Sequence, residues 1–321
     1  MLEYLSMPVE EAIAAAAKAT NNWGRWGADD VRGTLNNITP EDKVAAAQLV
    51  RKGVSFSLAQ TFDRWGPQTG EYNRTNPVHT MLLSGSDWRK AVWPHGFSGA
   101  DDVVFMPLQC STQWDGLGHI YDHGVGWQGR AAEDISTSAG DLVTGIERVA
   151  GDFVSRGVLL DVGRVYGENG ELPDGFAITE EHVRGTIEAQ GPTSEVRKGD
   201  IVLVRTGQLT RARRDGWGLY AGGPAPGMSF STVTWLREND VAGIATDTWG
   251  FEVRPNEWPD GYQPMHQVVI PHMGLYIGEI WDFEALGDDC AEDGVYELFL
   301  TAGPIPITGG VGAPVNPVAV K

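Results

Sequence analysis

Seven short apolar runs, each four to six residues long, constrain the fold of this chain more than any other feature. Several are continuous rather than alternating, which is typical of strands covered on both faces. The 42 glycines and 18 prolines of the chain indicate long loops between them. The predicted strands are Val54–Leu58, Val103–Met106, Val158–Val162, Ile201–Val204, Val241–Ala245, Leu275–Ile280 and Val295–Leu300.

Helix signals lie between these runs without a regular strand–helix rhythm. Thr39 offers an N-cap hydroxyl in front of Pro40 and two acids, which predicts a helix reaching Val50. A second helix is predicted to open at Thr179 and run through Ile187, closed by Gly191 and Pro192, and a shorter one is predicted over Ser231–Glu238. We therefore expect a mixed α/β fold and not a doubly wound sheet.

The organisation of the chain indicates one domain over residues 1–321. A helical extension is expected over about residues 1–50, and its alanine run predicts a short surface helix. The tail, about residues 303–321, is rich in Gly, Pro and Val and is expected to be extended over the body or a neighbouring subunit.

Composition excludes several classes of protein. The net charge of −19, from 24 basic and 43 acidic residues, disfavours binding to nucleic acid or to anionic membranes. No run approaches the ~18 apolar residues of a membrane span, and Glu10 and Glu11 make the N-terminus a poor signal peptide. Two cysteines do not make a disulfide scaffold, so a cytoplasmic protein is the simplest expectation.

The segment from Gln109 to His119 carries the densest chemistry of the chain. Asp115 is able to bind a hard cation or hold a base, and His119 is able to move a proton near neutral pH. Glycines between them suit a tightly turning loop. Cys110 lies in the same segment, where a nucleophile and a small buried residue are both possible; the second is favoured because no histidine is close in sequence.

A second cluster of metal-ligating residue types lies near the C-terminus. His266 precedes a predicted strand, and Glu279 lies near the end of that strand. Together with Asp115 they would form a mixed nitrogen and oxygen cation site. His272 is the main rival to His266 as the ligand, and His123 is a further candidate beside the first segment.

The order and spacing of these residues resemble the metal-dependent cyclase family, which includes bacterial kynurenine formamidase and isatin hydrolase. Asp115 stands at the aspartate of the family signature and His119 at its last histidine, while His266 and Glu279 match its distal pair. The segment Gly199–Gly207 also fits, and the similarity spans roughly residues 50 to 310. The resemblance implies an α/β fold with a mixed-sheet swivelling β/β/α domain of the kynurenine formamidase type, usually oligomeric. It also implies a metal-activated water that attacks an amide, lactam or ester carbonyl.

Two glutamines depart from the family signature. Gln109 and Gln113 stand where family members have histidines. An amide oxygen is a weaker and harder ligand than imidazole, so a second metal ion is not expected. We expect one divalent ion held by Asp115, His266, Glu279 and Gln113, with Mn²⁺ favoured by the oxygen-rich ligands and Zn²⁺ possible. Gln109 is expected to contact substrate or to support the ligands.

The resemblance assigns His119 the role of general acid or base, protonating the departing nitrogen or oxygen. Twelve tryptophans are many for this length, and aromatic pockets suit flat substrates. Trp23, Trp26 and Trp249 flank glycines in loop-like contexts. Trp114 and one of Trp23 or Trp26 are expected to approach the substrate, and most of the twelve are expected to pack in the core or at subunit interfaces.

These observations predict a hydrolase that cleaves an amide, lactam or lactone bond of a small cyclic or aromatic substrate. Two alternatives remain open: a cyclase or dehydratase that uses the same site, and a catalytically inactive protein that binds a small molecule. The expected partners are the small-molecule substrate and further copies of the chain, as a dimer or tetramer.

Overall fold

The computed structural model describes residues 4–89 and 93–321, which are built around a nine-stranded sheet with short two-stranded pairs beside it. The strands are β1 (Ser55–Ser57), β2 (Val78–Leu83), β3 (Asp101–Phe105), β4 (Gln113–Asp115), β5 (Ser136–Thr137), β6 (Gly140–Asp141), β7 (Val154–Asp161), β8 (Ala177–Ile178), β9 (Ile201–Arg205), β10 (Gly227–Met228), β11 (Gly243–Thr246), β12 (Tyr276–Glu279), β13 (Glu297–Thr301), β14 (Gly312–Pro314) and β15 (Val318–Val320). The helices are α1 (Val9–Thr20), α2 (Pro40–Ala47), α3 (Ala132–Ile135), α4 (Val162–Tyr166), α5 (Glu180–Gln190), α6 (Gln208–Asp215), α7 (Val233–Glu238), α8 (Pro264–Val268) and α9 (Glu284–Asp293), and a π-helical turn (Val269–Met273) follows α8.

The large sheet is parallel in its centre and antiparallel at both sides. Its strand order is β1-β15-β13-β7-β9-β11-β12-β4-β14, and the strands from β7 to β12 in that order run parallel. Because the carboxyl ends of parallel strands meet at one edge, the residues after β9, β11 and β12 come together there. That edge positions the site described below.

The mixed α/β fold predicted from the apolar runs is confirmed. Each of the seven runs contributes residues to a strand, although the bounds differ by a few residues. β9 explains their continuous apolar character: Val202 and Val204 face one core cluster, while Ile201 and Leu203 face another on the opposite side of the sheet. A strand covered on both faces needs apolar residues at every position.

The predicted helices are also present. Thr39 caps α2 through a capping box with Asp42, and α5 ends before Gly191, whose φ of 84° favours glycine. The Ser231–Glu238 prediction corresponds to a 3₁₀ turn followed by α7. The alanine-rich helix α1 is not a simple surface helix, because its Ala12 and Ala16 are fully buried against the core.

The segment predicted as a turning loop contains a strand instead. β4 pairs with β12 on one side and with β14 on the other, so that Asp115 lies opposite both Ile277 and Gly312. Its three residues have no marked strand pattern of their own, and the two neighbouring strands impose the extended conformation. Side chains therefore alternate: Gln113 and Asp115 share one face of the sheet, and Trp114 lies on the other.

The tail is extended, as expected, and completes the sheet at two separate places. β14 adds to β4, while β15 lies between β1 and β13. No helix within residues 4–89 and 93–321 is long and apolar enough to span a bilayer.

Candidate active site

Three side chains with metal-ligating groups come together at the end of the parallel strands. Asp115 is on β4, His266 is on α8 and Glu279 is the last residue of β12. One ligand atom from each lies within 4.8 Å of the others, and all three side chains are buried. The structure thus brings together the three residues that the sequence predicted as one site.

Gln113 completes this cluster from the same face of β4. Its Nε2 donates a hydrogen bond of 2.9 Å to Oε2 of Glu279, and Oε1 of Glu279 lies 3.3 Å from Nε2 of His266. Within the described residues, Oε1 of Gln113 and Oδ1 of Asp115 are buried without a hydrogen-bond partner. Buried polar atoms are nearly always paired, so these two oxygens fit a site that accepts a cation.

Glu252 was missed by the sequence analysis and holds His266 in place. Its Oε1 lies 2.6 Å from Nδ1 of His266 and also accepts the backbone N–H of that residue at 3.1 Å. A carboxylate at Nδ1 favours a proton there and leaves Nε2 to face Glu279 and Asp115. Glu252 lies in the loop after β11. The sequence signal that could have identified it is its position shortly after a predicted strand, because residues that follow parallel strands meet at one edge of the sheet.

The buried charges shift one another's protonation. Burial and then the Asp115 carboxylate raise the pKa of Glu279. Burial opposes a charge on His266, but its hydrogen bonds to Glu252 and Glu279 outweigh burial and raise its pKa. A proton on Nε2 of His266 and a divalent cation therefore compete for the same place among the acids.

His119 lies beside this cluster, on the lining of the same cavity. Its Nε2 lies 3.6 Å from Oδ1 of Asp115, and its side chain is 17% exposed. Burial lowers the pKa of His119 more strongly than the nearby Asp115 raises it. The imidazole is therefore neutral near pH 7 and able to accept a proton.

The cluster forms one wall of a cavity of about 330 Å³, and aromatic side chains form another. Tyr72 stacks on Trp249 with ring centroids 5.7 Å apart, and Tyr262 lies 6.4 Å from Tyr72. The lining residues are Tyr72, Arg74, Asp115, His119, Ile120, Trp249, Tyr262, Gln263, His266 and Glu279. Trp249 follows β11, at the edge of the sheet where the site lies. This position in the sequence could have indicated that Trp249, unlike the other tryptophans, lines the cavity.

A substrate contact was predicted for Trp114, but the structure places this residue in the core and not in the described cavity lining. Trp114 is fully buried on the opposite face of β4, stacked on Phe153 at 4.9 Å, and its Nε1 donates to the carbonyl of Ala302. The reason is the alternation of side chains along a strand: flanking residues that enter the site force the residue between them into the core.

The other predicted aromatic contacts also lie elsewhere. The described cavity lining includes neither Trp23 nor Trp26. Trp23 stacks on His272 with centroids 5.1 Å apart, and Trp26 packs near Trp127. His272 pairs with Asp122 at 2.8 Å and not with the acidic cluster, which leaves His266 as the candidate metal-ligating histidine.

Three further candidates, in or beside the segment from Gln109 to His119, lie outside the described lining. Gln109 precedes β4 in a turn, and its amide lies against the backbone of Gly312. The exposed His123 contacts Asp122 at 2.8 Å. Burial raises the pKa of Cys110 to about 11, so its thiol stays protonated at neutral pH, and Cys110 and Cys290 are both free.

The fold and this site define a member of the cyclase family. The family model described as a putative cyclase matches residues 6–253, and the chain belongs to that family. A crystal structure described as a novel cyclase is 41% identical, with a TM-score of 0.86 over 94% of this chain and 100% of that one. No match was found among curated proteins.

More distant structures share the fold. Isatin hydrolase A from Ralstonia solanacearum is 18% identical, with a TM-score of 0.61 over 88% of this chain and 98% of that one. Isatin hydrolase A from Labrenzia aggregata, bound to benzyl benzoate, is 18% identical with a TM-score of 0.59 over the same shares. The predicted family and fold are confirmed, and family membership supports a hydrolase-like or cyclase function.

Proposed function

We propose that the protein is a metal-dependent hydrolase that cleaves an amide, lactam or lactone bond in a small cyclic or aromatic substrate. The observation that carries this proposal is the joint position of Asp115, His266 and Glu279 on the wall of an aromatic cavity, with His119 beside them. A candidate metal site on the lining of a substrate-sized cavity suits catalysis better than a purely structural role.

The donor set fits one divalent cation. Asp115 and Glu279 offer carboxylate oxygens, and His266 offers Nε2 because Glu252 occupies its Nδ1. Gln113 positions Glu279 and still has an unpartnered amide oxygen, so its role as a fourth ligand stays a prediction. The oxygen-rich set favours Mn²⁺, with Zn²⁺ as the second choice. When bound, such a cation activates water and polarises a carbonyl.

His119 moves the proton in this proposal. As a neutral imidazole it accepts a proton from the attacking water and returns it to the departing nitrogen or oxygen. Its distance of 3.6 Å from Asp115 places it at the edge of the ligand cluster, within reach of a group bound in the cavity. The rings of Tyr72 and Trp249 provide flat faces for a planar substrate.

The decisive experiment combines metal analysis with a substrate panel. Protein purified without chelator is analysed for bound metal, and amides, lactams and lactones are assayed with added Mn²⁺. One equivalent of metal and hydrolysis of a panel member are the expected results. No stoichiometric metal and no turnover after addition of Mn²⁺ or Zn²⁺ would instead support a small-molecule-binding protein, and ring closure without hydrolysis would support the cyclase alternative.

A cysteine variant provides the matched control. Cys110→Ala removes the thiol that a cysteine-dependent hydrolase would need, while the buried thiol with its raised pKa takes no part in our proposal. Turnover by this variant is expected to remain close to that of the unaltered protein. Loss of turnover with metal content unchanged would contradict the metal-dependent assignment.

We also propose a cytoplasmic homo-oligomer, a dimer or tetramer. The hairpin of β2 and β3 supports self-association, because Leu82 is 65% exposed and Phe105 is 79% exposed. Large exposed apolar side chains clustered on one hairpin are typical of interaction surfaces. Light scattering of the purified chain tests this proposal, and a monomer at micromolar concentration would contradict it.

A further inference from the structure

Arg74 lies among the aromatic side chains of the cavity, and its positive charge contrasts with the negative charges of the acidic cluster. Its Cζ is 5.3 Å from the ring centroid of Trp249 and 5.9 Å from that of Tyr72. A guanidinium over aromatic rings gains cation–π attraction, which favours this position of the group. The cavity therefore contains a positive group whose position is set by rings and not by an acid.

The guanidinium of Arg74 is without an ionic partner. No carboxylate of residues 4–89 and 93–321 lies within 4.0 Å of it, although Asp115 and Glu279 line the same cavity. Many other arginines are paired with acids, for example Arg213 with Asp282 at 2.7 Å and Arg205 with Glu284 at 2.8 Å. With 43 acidic residues against 24 basic ones, a free guanidinium inside a cavity is unexpected unless a ligand pairs with it.

Among the described residues, the side chain of Arg74 has neither a hydrogen-bond partner nor an ion-pair partner, so its N–H groups are available to a ligand. A planar fork of N–H groups matches a carboxylate and is able to bind it through two parallel hydrogen bonds. The cavity volume of about 330 Å³ suits a ligand of one or two rings. The nearby carboxylates of Asp115 and Glu279 would repel a dianion more than a monoanion, which favours a carboxylate over a phosphate ester.

We propose that Arg74 is a specificity-determining residue that binds a carboxylate on the substrate. The substrate class is then a small planar amide, lactam or lactone that carries an ionised carboxyl group away from the bond that is cleaved. This inference rests on the proposed hydrolase function for the reaction, but the binding of an anionic planar ligand is measurable without turnover.

Arg254 offers a matched control. Its Cζ lies 5.9 Å from the ring centroid of the same Trp249, yet the described cavity lining does not include it. Removing the charge of Arg254 disturbs the stacking on Trp249 without removing a group from the cavity. A comparison of Arg74→Gln with Arg254→Gln therefore separates recognition within the cavity from packing around the tryptophan.

The experiment measures binding of benzoate and of its neutral analogue benzamide by calorimetry, with the full chain in EDTA and again with Mn²⁺. The unaltered protein is expected to prefer benzoate in both conditions. Arg74→Gln is expected to weaken benzoate binding about tenfold or more and to leave benzamide binding unchanged, because a charge-assisted hydrogen-bonded pair is lost. Arg74→Lys should retain part of the preference, and Arg254→Gln nearly all of it. Thermal unfolding confirms that each variant is folded.

Different failures remain distinguishable. A benzoate preference that appears only with Mn²⁺ and survives Arg74→Gln would overturn the proposal, because the cation would then hold the carboxylate. A loss of benzoate affinity in Arg254→Gln as large as that in Arg74→Gln would also overturn the proposal. Absence of metal and turnover, with the Arg74-dependent preference intact, would remove the hydrolase assignment alone.

A kinetic comparison separates a carboxylate already on the substrate from one created by hydrolysis. For a pair of cleaved substrates with and without a carboxyl group, Arg74→Gln should raise KM for the charged member only. Arg74→Gln could instead only relieve product inhibition, with an equal effect on the charged and the neutral substrate. In that case Arg74 binds the carboxylate of the product, and the assignment of a carboxyl group to the substrate is wrong.

Discussion

Oε1 of Glu252 lies 2.6 Å from Nδ1 of His266 and orients that imidazole towards Glu279 and Asp115. The same carboxylate accepts the backbone N–H groups of Met265 and His266 at the start of α8. Glu252 therefore sets the position of the helix that presents the ligand as well as the tautomer of its ring. A group that performs both tasks is expected to control cation affinity without touching the cation.

Glu252→Gln should weaken Mn²⁺ binding about 10- to 100-fold, because a neutral amide holds the imidazole less firmly and makes Nε2 less basic. Competition with a fluorescent chelator measures the affinity. Glu257→Gln is the control, since Glu257 is a half-buried acid that bonds to Ser229 and Phe230 and not to His266. Equal affinity in Glu252→Gln and the unaltered protein would show that this contact is only structural.

His119→Asn should lower kcat about 10²- to 10⁴-fold, the usual contribution of a general acid or base, while bound metal stays at the level of the unaltered protein. Turnover of a panel substrate and elemental analysis measure the two quantities. The exposed His123, which contacts Asp122 outside the described cavity lining, is the control residue, and His123→Asn should change neither. Unchanged turnover in His119→Asn would exclude the proton-transfer role.

Asp115→Asn should raise the Tm of the metal-free protein by a few degrees and abolish stabilisation by Mn²⁺. Oδ1 of Asp115 is a buried carboxylate oxygen without a hydrogen-bond partner among the described residues, and Glu279 lies beside it. Removing one of two neighbouring buried charges relieves repulsion. In the unaltered protein, Mn²⁺ at 100 times its Kd should add about 2.7 kcal/mol of stability.

The control for this prediction is Asp141→Asn. The Asp141 carboxylate is also buried, but it accepts hydrogen bonds from the backbone of Val143 and Thr144 and from the Thr144 hydroxyl. Its loss should lower Tm in both metal-free and metal-loaded protein. Thermal scans of the two variants should thus move in opposite directions, and a fall in Tm for both would contradict the cation-site explanation.

Lys321 anchors β15 to α9 through ion pairs of 2.8 Å with Asp289 and with Asp293. Partial burial opposes ionisation of these carboxyls, but hydrogen bonds from Lys321 and Lys52 prevail and lower the pKa of both. A lowered pKa in the folded state contributes stability above the unfolded pKa of about 4, and this contribution is lost as the pH falls through the folded value.

Lys321→Met should therefore lower the free energy of unfolding by about 1 kcal/mol at pH 7. This difference in stability from the unaltered protein should shrink as the pH is lowered from 5 towards 3. Urea unfolding across this pH range measures the difference. A gap that stays constant with pH would mean that the lysine stabilises the tail by packing alone.

Much of the fold could be predicted because the apolar runs are local features. Four of the runs form the parallel centre of the sheet, where burial on both faces selects extended, continuous apolar segments, as in β9. The order of Asp115, His119, His266 and Glu279 predicted a shared site through its resemblance to the family signature, and the structure brings Asp115, His266 and Glu279 together. These elements required no knowledge of how the strands pair.

The remaining features depend on contacts between distant parts of the chain. Trp114 lies in the core because pairing of β4 with β12 and β14 decides which face each of its residues takes. Tyr72 and Trp249 form the aromatic wall because two loops separated by more than 170 residues meet there. Residue types and their order determined the fold class and the four central side chains. Only the tertiary structure decided which face of the sheet each side chain of β4 takes and which loops meet around the cavity. Neither feature has a local periodic signal in the sequence.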